Sequence, residues 1–159
     1  MTISAANLNF KMLNDRIRDA EDGALALTDV LGQRYIGAGL SGKRLDIYGV
    51  PGNAMGAYME DSTLVVHGNA QDAVGDTMNG GEIAVHGSVG DALGYAMRGG
   101  RILVKGDAGY RCGIHMKAYR ERIPVIVIGG KAGSFLGEYQ AGGRIIVLRL
   151  TVPGGEPPV

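Results

Sequence analysis

Three residue classes recur every 19 residues through the middle of this chain, and that period decides what the chain can fold into. Gly49, Gly68, Gly87 and Gly106 are 19 residues apart; so are Gly56, Gly75, Gly94 and Gly113, and so are Met59, Met78, Met97 and Met116. A fixed period of this length is the signature of a solenoid, in which each turn of chain buries its apolar side only against its neighbours. Glycine supplies 28 of the 159 residues, more than twice its usual share of about 7%. There is no Gly-X-Y triplet, so a collagen helix is excluded.

Each repeat opens with alternating apolar residues: Leu45/Ile47, Leu64/Val66, Ile83/Val85, Ile102/Val104, Ile126/Ile128 and Ile145/Val147. Alternation over four or five residues means a short strand, with a glycine corner after it. The second half of the repeat, such as Asp91 to Met97, is expected to form another short edge with its methionine inward. Stepping back 19 residues from Gly56 and Met59 reaches Gly37 and Leu40, so 24–42 reads as a degenerate first coil. Coils follow at 43–61, 62–80, 81–99, 100–123 and 124–142, the fifth carrying extra residues within Lys117–Arg122, and a last strand starts at Arg144. The expected fold is an all-β solenoid, a right-handed parallel β-helix of about six coils, since the left-handed hexapeptide type needs multiples of six. Stacked at the strand spacing, six coils make a rod roughly 30 Å long.

The ends depart from the repeat. In residues 1–23, Phe10, Leu13, Ile17 and Ala20 share one face of an amphipathic helix, with Asn7 or Asn9 to cap its start and Gly23 to end it. Such a helix is expected to cover the first coil of the 24–150 solenoid. Residues 151–159, rich in proline and glycine, read as a disordered tail.

Lysine plus arginine and aspartate plus glutamate both number 16. The balanced charge supplies no long-range field toward nucleic acid or an anionic membrane, so neither is expected as a partner. A single cysteine, Cys112, gives no disulfide framework and suits a reducing compartment. No apolar run approaches a membrane span of about 18 residues, and no signal-peptide core is seen. The expectation is a cytoplasmic protein.

Several residues invite a chemical reading. Gly37, Gly39, Gly42 and Lys43 match parts of two phosphate-binding motifs, but both motifs work at a helix N-terminus, and here a strand follows. His67 and His86 sit at one position of adjacent coils, between Tyr48 and Lys105. They are expected to stack outward, and with His115 in the other half of its coil they fall short of a converging zinc site. Asp72 and Asp91 also stack, but Tyr110 and Ser134 take their place in later coils, so no acidic groove continues. Cys112 aligns with Leu93 and Val74, which points to the core. No catalytic, cofactor-binding or metal-ligating residue is therefore assigned.

The segments 32–42 (GQRYIGAGLSG), 47–61 (IYGVPGNAMGAYMED), 66–87 (VHGNAQDAVGDTMNGGEIAVHG) and 109–148, with GYRCGIHM and PVIVIGGKAG, carry a family likeness over roughly residues 10–150. They resemble the glycine-rich (GXGXG) C-terminal domain of the glutamate synthase large chain, in its free-standing version. The Gly-x-x-x-Gly-x-x-Met repeat is shared with one subunit of formylmethanofuran dehydrogenase, which leaves a scaffold role in that complex as the alternative. A self-sufficient β-helix enzyme is a third reading, from a different class. The first resemblance implies a right-handed β-helix without catalytic residues. It also implies partners: a glutamine amidotransferase subunit and a synthase subunit that carries FMN and iron–sulfur clusters, with no cofactor in this chain.

A docking face can be read from the strands. Side chains alternate across a strand, so the residues between the inward pairs face out. One outward column reads Asp46, Val65, Ala84, Leu103, Val127, Ile146; the next reads Tyr48, His67, His86, Lys105, Gly129, Leu148. The last two coils put Val125, Val127, Ile146 and Leu148 outside together, and a contiguous apolar patch marks an interface. Its occupant is a partner subunit, a second copy, or the chain's own N-terminal helix or tail.

Overall fold

The alternating segments become strands that pair in chain order. A computed structural model describes residues 1–149 as one parallel sheet of eight strands: β1 (Thr2–Ser4), β2 (Ala24–Leu31), β3 (Ser41–Val50), β4 (Asp61–Val66), β5 (Glu82–Val85), β6 (Arg101–Val104), β7 (Val125–Ile128) and β8 (Arg144–Val147). The only helix among the described residues is α1 (Phe10–Asp19). The chain is a β-solenoid, and eight strands in sequence order make seven turns rather than six. The expected tail, 151–159, lies outside the described residues.

From Arg44 of β3 onward the 19-residue period is the hydrogen-bonding register; Ser41 before it pairs with Asp61, 20 residues on. Leu45, Leu64, Ile83, Ile102, Ile126 and Ile145 are successive ladder partners. All but the last are fully buried. The extra residues near Lys117–Arg122 form a small hairpin closed by a bridge between Tyr119 and Arg122, after which the register resumes.

The first coil departs from that register. Leu25 and Leu27 of β2 pair with Leu45 and Ile47, 20 residues on, whereas Val30 pairs with Gly49 at 19. Thr28 and Asp29 together oppose Tyr48, a bulge that places Asp29 at φ 57°. A bulge leaves an extra residue unpaired and re-phases the strand.

The second half of each coil is an edge, as expected, but not a strand. Three alternate residues take positive φ in every coil, for example Ala73 (57°), Gly75 (69°) and Thr77 (52°), and extended chain does not do this. The segment is two overlapping turns: Asp76 N donates to Ala73 O and Met78 N to Gly75 O. Its remaining groups bond between coils. Ala73 N donates to Asp91 O of the next turn, and Gly75 N to Met55 O of the previous one. The middle residue also lies close against the core: a Cβ on Gly75 would lie 2.4 Å from Ile102 Cδ1, so that methyl would have to swing aside. Met59, Met78, Met97 and Met116 point inward with no exposed surface. Gln140 holds the corresponding place in the last coil and donates through Nε2 to Gly142 O and Gly143 O.

Residues 1–23 form a turn of their own rather than a helix alone. β1 pairs with β2, and α1 stands where later coils have the turn edge. Asn9 is the N-cap: its Oδ1 accepts from Met12 N at 2.9 Å, and helix caps of this kind contribute about 1 kcal/mol. The helix ends at Asp19, before Gly23. Leu13 and Ile17 enter the core, but Phe10 stays about half exposed, edge-on to Tyr35. Asn14 is buried instead: Nδ2 donates to Phe10 O at 2.9 Å, and Oδ1 accepts from Gly37 N at 3.1 Å. A helix laid against backbone needs a polar partner there, and apolar periodicity does not register one.

Candidate docking surface

The polar columns that invited a chemical reading join the coils. Asn53 Oδ1 accepts from Asp72 N, Asp72 Oδ1 from Asp91 N, and Asp91 Oδ1 from Tyr110 N, at 2.8 to 3.1 Å. A second column runs beside it: Asn69 Oδ1 accepts from Ser88 N, Ser88 Oγ from Asp107 N, and Asp107 Oδ1 from Lys131 N. Each side chain satisfies a corner N–H of the turn above, which the sheet ladder does not reach. Asp72 and Asp91 stack as the period implies, each with one oxygen committed to backbone.

The glycines of the apparent phosphate motif are committed too. Gly37 N donates to Asn14 Oδ1 and Gly39 N to Ala57 O. Gly37 and Gly39 lie in the turn edge at φ 72° and 64°, and β3 follows. Cys112 is 1% exposed, and burial pushes its thiol up to about 11. A thiol in that state is a small core hydrophobe, not a nucleophile.

The histidine ladder forms on the outer face. Tyr48 and His67 stack at 4.5 Å between centroids and 6° between planes; His67 and His86 stack at 5.4 Å and 11°. His115 sits in the turn edge and stacks on Tyr139 at 5.0 Å, apart from the pair. No group of three metal-ligating side chains occurs among the described residues. His67 Nε2 bonds Asp46 Oδ1 at 2.9 Å, and Arg44 Nε donates to Asp46 Oδ2 at 3.0 Å. The His67 bond first, and Arg44 after it, hold the Asp46 carboxyl below its ordinary 3.8. A carboxyl lowered by folding contributes stability in full above its unfolded value and loses it as pH falls through the folded one. The stability gap between the parent and Asp46→Asn is therefore expected to close as pH drops from about 5 to about 2, in thermal melts across that range. A gap that stays constant would place no linkage at Asp46.

The outward columns lie in register as the alternation requires: Asp46, Val65, Ala84, Leu103, Val127 and Ile146 are successive partners. Of the four residues marked as a docking patch, Ile146 is 44% and Leu148 67% exposed, while Val125 and Val127 are half-buried. Leu103, 36% exposed, extends the patch into β6; its place beside Val127 in the column was the available signal. Val125 lies one column away, between Arg101 and Arg144. Gly129 leaves a gap in the next column, and the result is an open hollow of about 410 Å³ bordered by His86, Leu103, Lys105, Val127 and Leu148. The helix does not cover this face, because α1 caps the opposite end of the solenoid, over Arg34 and Gly37.

A family model described as the GXGXG motif matches residues 13–155. The uncharacterized protein MJ1350 of Methanocaldococcus jannaschii is 46% identical over 163 aligned residues, which cover 98% of this chain and 62% of that protein. The chain thus spans less than two thirds of the length of this curated relative. No solved structure matches the chain.

Proposed function

Because the chain belongs to the GXGXG motif family, we propose that it is a non-catalytic scaffold subunit of a glutamate synthase-type complex. The observation that carries this reading is the family motif itself, matched from residue 13 to residue 155. Two features of the molecule support it. The polar columns are engaged in joining coils, and the outer face over β6–β8 exposes apolar side chains suited to a partner. In this role the chain holds a glutamine amidotransferase subunit, which releases ammonia, beside an FMN and iron–sulfur synthase subunit, which adds it to 2-oxoglutarate with reduction. The cofactors belong to the partners. The setting is the cytoplasm; among the described residues no helix is long and apolar enough to cross a membrane.

Co-purification of the tagged chain, with partners identified by mass spectrometry, tests the reading. The expected result is recovery of both subunits, and glutamate formation from glutamine that depends on this chain. Recovery of molybdopterin-type subunits instead would assign the chain to a formylmethanofuran dehydrogenase-type complex. A yellow isolated chain holding stoichiometric FMN would end the non-catalytic reading. Val127→Asp combined with Ile146→Asp is expected to abolish assembly while the isolated chain stays folded and soluble. Unfolding of that variant would mean the face is covered from within, and normal assembly would put docking elsewhere.

A further inference from the structure

The outer face changes character along the solenoid. Over β3–β5 it carries carboxylates: Asp46, paired with Arg44 and His67, Glu82, paired with Arg101 at 2.7 Å, and the exposed Asp61 at the start of β4. Over β6–β8 the three outward columns read Arg101, Val125, Arg144; Leu103, Val127, Ile146; and Lys105, Gly129, Leu148. These nine positions hold three cations and no carboxylate. Among the described residues, Lys105 and Arg144 have no carboxylate within salt-bridge distance. An apolar centre rimmed by unmatched cations is complementary to an apolar segment flanked by acids.

The hollow at Gly129 sharpens the match. A Cβ on Gly129 would lie 2.4 Å from Lys105 O, so no side chain of this chain can fill the gap from that position. At 410 Å³ it falls within the size range of clefts that accept a bound group. Lys105 and Arg144 lie two strands and four residues apart in the register, which is roughly 16 Å on sheet spacing and rise. An extended segment covers that distance in about five residues.

We infer that the β6–β8 face docks an acidic, apolar-centred segment of a partner polypeptide, with one large apolar side chain seated beside Gly129 and acids about five residues apart on Lys105 and Arg144. The inference rests on the scaffold reading only for the identity of the partner, because the face selects its ligand by charge and shape.

The probe is the labelled peptide acetyl-EETLFTEE-amide, titrated onto the full chain by fluorescence anisotropy, with the glutamine peptide QQTLFTQQ and the lysine peptide KKTLFTKK alongside. The acidic peptide is expected to bind at least about tenfold more tightly than the glutamine peptide. Lys105→Glu with Arg144→Glu, checked for an unchanged melting temperature, should remove that preference and bind the lysine peptide instead. Leu103→Ser with Val127→Ser should weaken the acidic peptide while leaving charge discrimination in place. Equal binding of the acidic and glutamine peptides, or no binding of either at about 1 mM, overturns the inference. So does tighter binding of labelled oligouridylate than of the acidic peptide, a dimer in sedimentation that the double charge reversal dissociates, or peptide binding that appears only once residues 150–159 are removed. Failure of the scaffold reading looks different: the chain then recovers neither subunit on co-purification, while the peptide assay still reports on the face. If both subunits are recovered and the charge reversal changes nothing, the scaffold stands and this docking chemistry falls.

Discussion

Met97→Lys is expected to destabilise the solenoid by several kcal/mol, a large part of the about 5–15 kcal/mol that holds a domain of this kind together. Met78, Met97 and Met116 stack in one column with no exposed surface, so a lysine at the middle place has neither water nor a partner for its ammonium. Burial would drive it to the neutral amine, at a cost that still falls on folding. Met97→Leu keeps the volume and polarity and is expected to cost under about 1.5 kcal/mol. Thermal and urea melts of the two variants beside the parent check this. Equal melting of the lysine variant and the parent would mean that the column opens to solvent.

Gly100→Ala is the second change with a large expected effect. Gly100 sits at φ +78°, and a Cβ there would lie 2.7 Å from Gly81 O and 2.9 Å from Gly80 C. The left-handed conformation alone costs a non-glycine residue roughly 1–2 kcal/mol. The Cβ also meets backbone of the preceding turn, which cannot rotate away, and overpacking of this kind adds roughly 1–3 kcal/mol. Gly23→Ala is the control, since a Cβ there meets nothing within 4 Å, and its effect is expected within about 0.5 kcal/mol. Comparable losses at both sites would mean that turn-to-turn contact adds nothing at Gly100, because the unfolded-chain contribution of Gly→Ala is common to both sites and is itself stabilising.

Legibility of the chain followed repetition. The inward columns from Leu45 to Ile128, the methionine column, the His67–His86 stack and the buried Cys112 were readable because each observation recurs turn after turn, and an error in one turn is corrected by the next. Three of the features that were missed occur once. The bulge at Thr28 and Asp29 adds a single residue to β2. β1 has only three residues, too few to show alternation. On α1, Asn14 rather than Phe10 faces inward because the coil beneath offers the backbone N–H of Gly37, to which the Asn14 amide oxygen is matched. Of the docking face, the exposed Ile146 and Leu148 were legible by alternation. The hollow beside Gly129 and the unmatched state of Lys105 and Arg144 were not, since both depend on what neighbouring strands leave empty.

The 19-residue period by itself determined that this chain is a parallel solenoid, which residues face its core, and which side chains stack from turn to turn, because a side-chain period of two combined with a fixed coil length leaves one register that buries every apolar pair. The tertiary structure alone decided the backbone of the second edge. There Ala73, Thr77 and all their counterparts but Gly39 hold positive φ without being glycine, since hydrogen bonds to the turns above and below outweigh a local preference of roughly 1–2 kcal/mol. It alone also decided that α1 covers the β1–β2 end rather than the β6–β8 face, for where a terminal element packs is settled by contacts that no other part of the chain repeats.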